Sequence, residues 1–132
     1  MIKAVLDTNV WVSGLFWRGN PYNILQAAFS KKFVSITSKE ILNEVAEKLL
    51  KKFDFPENET KEFIEYIILM SVLVDSKIKH FVVKDDSDDD KIIDCAVEGN
   101  ADFIVSGDKD LLKIKEFKGI KIFSPKQFAE LI

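Results

Sequence analysis

The sequence predicts an α/β protein: a three-layer α/β/α sandwich around a central, mainly parallel sheet. Two observations predict it. Strand-like apolar runs alternate with helical patterns along the chain, which implies right-handed crossovers and helices on both faces of the sheet. The 132 residues show no internal repeat and no linker, and their only biased tract is the acid run at 85–90. Residues 1–132 therefore read as one domain with one core.

The elements follow in order. Residues 2–6 form a strand. Asn20 followed by Pro21 reads as an N-cap with proline at the first helical position, opening a helix through about 29. Residues 33–36 form a short strand, and Thr37 and Glu40 have capping-box spacing for a helix to about 52. A long helical pattern runs from 56 to about 74. Residues 80–83 suit a strand, 90–98 a helix, 103–105 a strand, 109–115 a short helix and 121–123 a last strand. Ser124, Pro125 and Gln127 then cap a final short helix.

The chain holds 47% hydrophobic residues, enough to exclude a disordered tail. Its 19 basic and 22 acidic residues give a net charge of −3. That counts against a protein gripping nucleic acid by bulk charge, and counts less if the acids surround a cation that inverts the local sign. With one cysteine, Cys95, and one histidine, His80, a disulfide within the chain is excluded and a structural zinc site disfavoured. Both fit a reducing, cytoplasmic setting. The first residues lack the long apolar stretch of a signal peptide. The most apolar run, 67–74, falls far short of the ~20 residues a membrane span needs. His80 lacks neighbours that would make a triad and reads as structural, and Cys95 as a small helix residue. The 11 phenylalanines are scattered at core-like spacings, with no evident base-stacking platform. Trp11, Phe16 and Trp17 cluster after Asp7 and read as core or interface ahead of substrate wall.

Four separated acids carry the chemistry. Asp7 ends the run Ala4-Val5-Leu6-Asp7-Thr8-Asn9, and Asp108 ends Phe103-Ile104-Val105-Ser106-Gly107-Asp108. Both stand at carboxyl ends of predicted strands and so share one sheet edge, where parallel α/β sheets bind ligands. Each also has a plainer reading as a helix N-cap, with Asp110 an ordinary first-turn acid. Glu44 flanks the apolar stripe of Ile41, Leu42, Val45, Ala46 and Leu49 at ~100° per residue, whereas Glu47 falls opposite it. Its plainer reading is a solvated partner of Lys48. Asp90 falls in line with Ile93 and Val97, on the inward face of its helix, and Asp94 lies beside that face as a possible extra ligand. Asp85, Asp86, Asp88 and Asp89 read as a solvated acidic loop. Carboxylates gathered together raise one another's pKa unless a cation joins them, and Mg²⁺ or Mn²⁺ suits oxygen donors.

Asp7-Thr8-Asn9 after the first strand, the helix from Ser38 to Glu44, Asp88-Asp89-Asp90-Lys91, and Val105-Ser106-Gly107-Asp108-Lys109-Asp110 resemble the PIN-domain family in order and spacing. The resemblance covers nearly the whole chain and is nearest to stand-alone PIN proteins similar to VapC, the toxins of toxin–antitoxin pairs. It implies a metal-dependent ribonuclease using one or two Mg²⁺ or Mn²⁺ ions. Carried over, the catalytic, metal-binding acids are Asp7, Glu44, Asp90 and Asp108, with Asp110 an additional acid and Asn9 and Ser106 supporting polar residues. Arg18, Lys31, Lys32, Lys48, Lys51 and Lys52 are candidates for RNA phosphate contacts, each more readily read as solvated surface.

The stretch 63–74 is apolar on nearly all sides when drawn as a helix, which points to burial by a second chain and a homodimer. An antitoxin partner is implied by the resemblance alone. The competing readings fit less of the sequence. A haloacid-dehalogenase-type phosphatase wants a second Asp two residues after the first, where position 9 is Asn. A phosphoacceptor receiver domain wants an acidic pair near the first strand. Neither explains Glu44 and Asp90 together. A non-catalytic metal- or RNA-binding module on the same fold is the remaining alternative.

Overall fold

The computed structural model describes residues 1–79 and 89–132. The expected strand at 80–83, His80 and three of the acids assigned to a solvated loop (Asp85, Asp86 and Asp88) lie outside the described residues. Within them the order is β1 (Lys3–Leu6), α1 (Thr8–Phe16), α2 (Asn20–Phe29), β2 (Val34–Ser38), α3 (Lys39–Lys51), α4 (Glu57–Met70), β3 (Ser71–Val74), α5 (Asp90–Glu98), β4 (Phe103–Val105), α6 (Lys109–Ile114), β5 (Glu116–Phe117), β6 (Ile120–Phe123) and α7 (Pro125–Leu131).

These strands form one sheet in the order β3-β2-β1-β4-β6-β5. All neighbours are parallel except β5 and β6. The chain builds outward from β1 to β3, then returns to place β4 on the other side of β1. Strand order therefore reverses between β1 and β4, and the crevice beyond their carboxyl ends is the position where such sheets bind ligands. Helix α5 crosses the middle of the sheet, packing on β1, β2 and β4. The core joins both layers: Leu6, Ile36 and Ile104 from the strands, with Trp11, Ile24, Ile41, Leu49, Ile67, Ile93 and Phe128 from the helices, are all fully buried or nearly so.

Several boundaries differ from those read in the sequence, each for a local reason. The helix drawn from 56 to about 74 stops at Met70, because Ser71 turns extended (φ −124°, ψ 158°) and residues 71–74 pair with β2. Tertiary pairing wins over helical periodicity there; β-branched Val72 and Val74 favour it, and the Ser35 and Ser71 hydroxyls bond at 2.8 Å. The expected cap at Thr37 moves one residue on. Strand β2 continues through Ser38, whose Oγ accepts from the Ile41 amide at 3.3 Å. Helix α2 is preceded by Gly19 at φ 147°, a conformation suited to glycine, and Asn20 is already helical. β5 went unread because it has two residues. It is joined to β6 by Lys118 and Gly119, both at positive φ, as a two-residue primed turn requires. The α7 capping box forms as expected, with Ser124 Oγ accepting from Gln127 N and Gln127 Oε1 from Ser124 N. Of the aromatic cluster, Trp11 is core, but Trp17 is 58% exposed. No helix among the described residues is long and apolar enough to cross a membrane.

Candidate active site

Strands β1 and β4 carry the first part of the site. Their pairing sets Leu6 beside Val105, and the Asp7 amide continues it by donating to the Val105 carbonyl at 2.9 Å. The side chains one residue further on meet as a consequence. Ser106 Oγ donates to Asp7 Oδ2 at 2.7 Å, the Asp108 amide donates to Ser106 Oγ at 2.9 Å, and the Asp110 amide donates to Asp108 Oδ1 at 2.7 Å. A fully buried serine thus locks the two strand-end aspartates into one relay.

This relay separates the plain readings of these acids from the others. Asp7 sits at the N-cap position of α1, yet makes no side-chain capping bond. It is 4% exposed, and burial pushes its carboxyl above the ordinary value. The Ser106 hydroxyl and the Thr8 amide pull it down, Glu44 pushes it up and Lys48 pulls it down. Asp108 does cap α6 through Oδ1. Asp110, partly exposed, also pairs with Lys113 at 3.8 Å.

Helices α3 and α5 bring in the second part. Ser38 fixes the start of α3 at the carboxyl end of β2, and Glu44 follows in its second turn. Glu44 takes neither of the roles that i,i+4 spacing offers. Its Oε2 pairs with Lys91, the second residue of α5, while Lys48 instead donates to Asn9 Oδ1 at 2.7 Å. Burial pushes the Glu44 carboxyl up, but Lys91, the Thr8 hydroxyl and Lys48 outweigh it and hold it below its ordinary value. Lys91 thereby ties the start of α5 to α3. Beside it, Asp90 opens α5 in a buried position, and Asp94 one turn later is more buried still. The four acids therefore stand on the elements that meet at one sheet edge.

A groove of about 650 Å³ runs along α3 from Glu40 and Glu44 past Lys48 to Lys51 and Lys52, with Lys91 on its wall. Arg18 does not line it and lies over the Tyr22 ring at 4.1 Å. Lys32 lines a separate small hollow with Asn23.

These oxygens are the hard donors that Mg²⁺ and Mn²⁺ prefer, and a buried carboxylate whose pKa is raised gains from a cation. In donor chemistry Asp7 and Asp108, with Asp90, Glu44 and Asp110, suit such an ion and are the residues that would hold it. Among the described residues no three His, Cys, Asp or Glu side chains stand close enough together to hold a metal ion; Glu44 is paired with Lys91 and Asp108 with the Asp110 amide. Two residues of this site, Thr8 and Lys91, were not singled out by sequence reasoning. A lysine following an acid run signals an ion pair, but only the packing of α5 on α3 names its partner.

The PIN domain family model matches residues 3–110. The chain belongs to the PIN domain family. That match runs from the first residue of β1 to Asp110 and so includes every acid of the site. Among solved structures, a chain of VapBC2 from Rickettsia felis, crystallised with a DNA fragment from their promoter, has the same fold. The TM-score is 0.66 at 16% identity, over 93% of this PIN chain and 98% of that chain. No curated protein sequence matches significantly.

Proposed function

We propose that this PIN-domain chain is a metal-dependent endoribonuclease and the toxin of a toxin–antitoxin pair. The observation that carries it is the Ser106 relay joining Asp7 and Asp108 at the switch point of a PIN fold, with Asp7 buried and under the influence of Glu44. Asp7 and Asp108 would hold one or two Mg²⁺ or Mn²⁺ ions, with Asp90 and Asp110 as further ligands. When bound, such an ion lowers the pKa of water and offsets charge on the phosphate. Ser106 holds Asp7 in place. Glu44, kept ionised at neutral pH by its lysines, orients the attacking water and accepts its proton. Water oxygen attacks phosphorus, the bond to O3′ breaks, and the leaving oxygen takes a proton, giving a 5′-phosphate and a 3′-hydroxyl.

The likeness to VapBC2 supports an antitoxin partner. A homodimer is supported by the apolar face that α4 and β3 leave exposed. Leu69 is 85% exposed, and Ile68, Val72 and Leu73 are exposed beside it.

Induced expression in a bacterial host tests the reading. Growth arrest with new RNA fragments bearing 5′-phosphates is expected, with neither in Asp7→Asn. Normal growth with intact RNA counts against it. The Lys91–Glu44 pair favours a second reading, a non-catalytic RNA-binding module, because Glu44 already has its cation. RNA binding without turnover would favour that one.

A further inference from the structure

Helices α1 and α3 pack side by side and are tied at two points. At the start of α1, Asn9 accepts from Lys48 in the last turn of α3. At the end of α1, Phe16 stacks on Phe53, just past α3, with ring centroids 4.9 Å apart. The seam between them therefore runs from the carboxylates to an aromatic corner. At that corner Trp17 meets Phe53 edge-on at 6.2 Å. Trp17 is 58% and Phe53 36% exposed, whereas Trp11 is fully buried. Lys51 and Lys52, immediately before Phe53, line the groove that begins at Glu44. Among the described residues, Lys51 forms its salt bridge with exposed Glu47 at 3.6 Å, Lys48 bonds Asn9 while its charge also acts on Asp7 and Glu44, and Lys52 has no salt-bridge partner.

We propose that Trp17 and Phe53 form a base-stacking platform at the end of this lysine track, a subsite that holds a base of the RNA strand at a distance from the acids. The choice of RNA rests on the ribonuclease reading above. An exposed indole needs a flat apolar partner, and lysines between it and the acids supply charge for a phosphodiester backbone. Single-strand binders combine these two features. The nine residues of α1 span roughly 14 Å at ~1.5 Å each, within the reach of a short run of nucleotides of one strand. A base on Trp17 thus belongs to the same strand as a phosphate at Asp7. A duplex buries its base faces and cannot use the platform.

The test is titration of the full chain in EDTA at low salt with a single-stranded RNA decamer and with its duplex, following tryptophan emission. Trp11 is shielded, so the signal reports Trp17. Saturable quenching by the single strand alone is expected. Trp17→Ala weakens binding ~5- to 150-fold, Trp17→Phe retains most of the affinity, and Lys52→Ala flattens the salt dependence. Equal affinity in Trp17→Ala, equal quenching by duplex, or no quenching by any RNA overturns the platform. So does an emission shift with protein concentration alone, which assigns the corner to a second copy. Cleavage read separately with Mn²⁺ keeps the two proposals apart. Quenching without cleavage defeats the nuclease and leaves the platform, and cleavage with unchanged Trp17→Ala binding does the reverse.

Discussion

At the scale of single residues, Ser106 decides how the site is held. Its hydroxyl donates to Asp7 and accepts from the Asp108 amide, so it orients a buried acid without contacting substrate. Partners of ligating groups are typically worth 10–100-fold in metal affinity. Ser106→Ala is expected to weaken Mn²⁺ binding by about that factor in a calorimetric titration, and unchanged affinity contradicts the role. Asp7 itself makes the metal-free protein pH-sensitive. Burial raises its pKa from 3.8, so the folded chain keeps the proton to higher pH than the unfolded one. Its contribution to stability is full below the unfolded value and is lost as pH rises through the folded value. Metal-free Asp7→Asn should therefore resist urea better than the parent at pH 7, with the gap closing towards pH 4. A larger gap at pH 4 refutes the sign. Cys95 is simpler: burial pushes its thiol up to about 12, and thiolate is the reactive form. Thiol reagents at pH 8 should label it only after unfolding, and rapid labelling of the native protein would contradict its burial. Asp7 and Asp108 were legible in the sequence because a strand end fixes where an acid points. Lys91 was not, because its partner comes from a helix 47 positions earlier.

At the scale of elements, legibility followed the strength of local signals. Helix α5 and strand β4 lie where periodicity set them, and α7 starts where its capping box set it. The α4–β3 boundary was missed because apolar residues run through it without interruption, and only pairing with β2 ends the helix. That correction changes the basis of the dimer argument. The apolar residues do not surround one buried helix; they lie on an exposed helix end and an edge strand, a form of surface that proteins usually cover. Leu69→Glu is expected to shift the chain from dimer to monomer in sedimentation while leaving its fold intact, and a wild-type monomer removes the proposal. Helix α3 depends on a cap that the sequence placed one residue early. Ser38→Ala removes the acceptor for Ile41 N and should cost ~1 kcal/mol, read as a lower urea midpoint. No change would mean that packing of Ile41, Val45 and Leu49 alone fixes α3.

At the scale of the whole molecule, strand order does the assembling. Alternating strands and helices implied a parallel sheet, and the outward-then-back order then puts β1 beside β4 and α5 over both. Asp7 and Asp108, about a hundred residues apart, both bond Ser106 because of that reversal. The sequence could place Asp7 and Asp108 on one edge. It could not say that Lys48 would turn to Asn9, that Lys91 would pair with Glu44, or that Trp17 would end outside the core, because these follow from helix packing rather than local pattern. The central claim is that the gathered acids make a metal-dependent ribonuclease. Cleavage of a panel of end-labelled RNAs, tRNAs included, by purified protein tests it most directly, comparing Mn²⁺ or Mg²⁺ with EDTA and the parent with Asp7→Asn. The account predicts discrete cuts that need metal and vanish in Asp7→Asn. Cuts that persist in folded Asp7→Asn, or RNA bound but left whole by the metal-loaded parent, would contradict it.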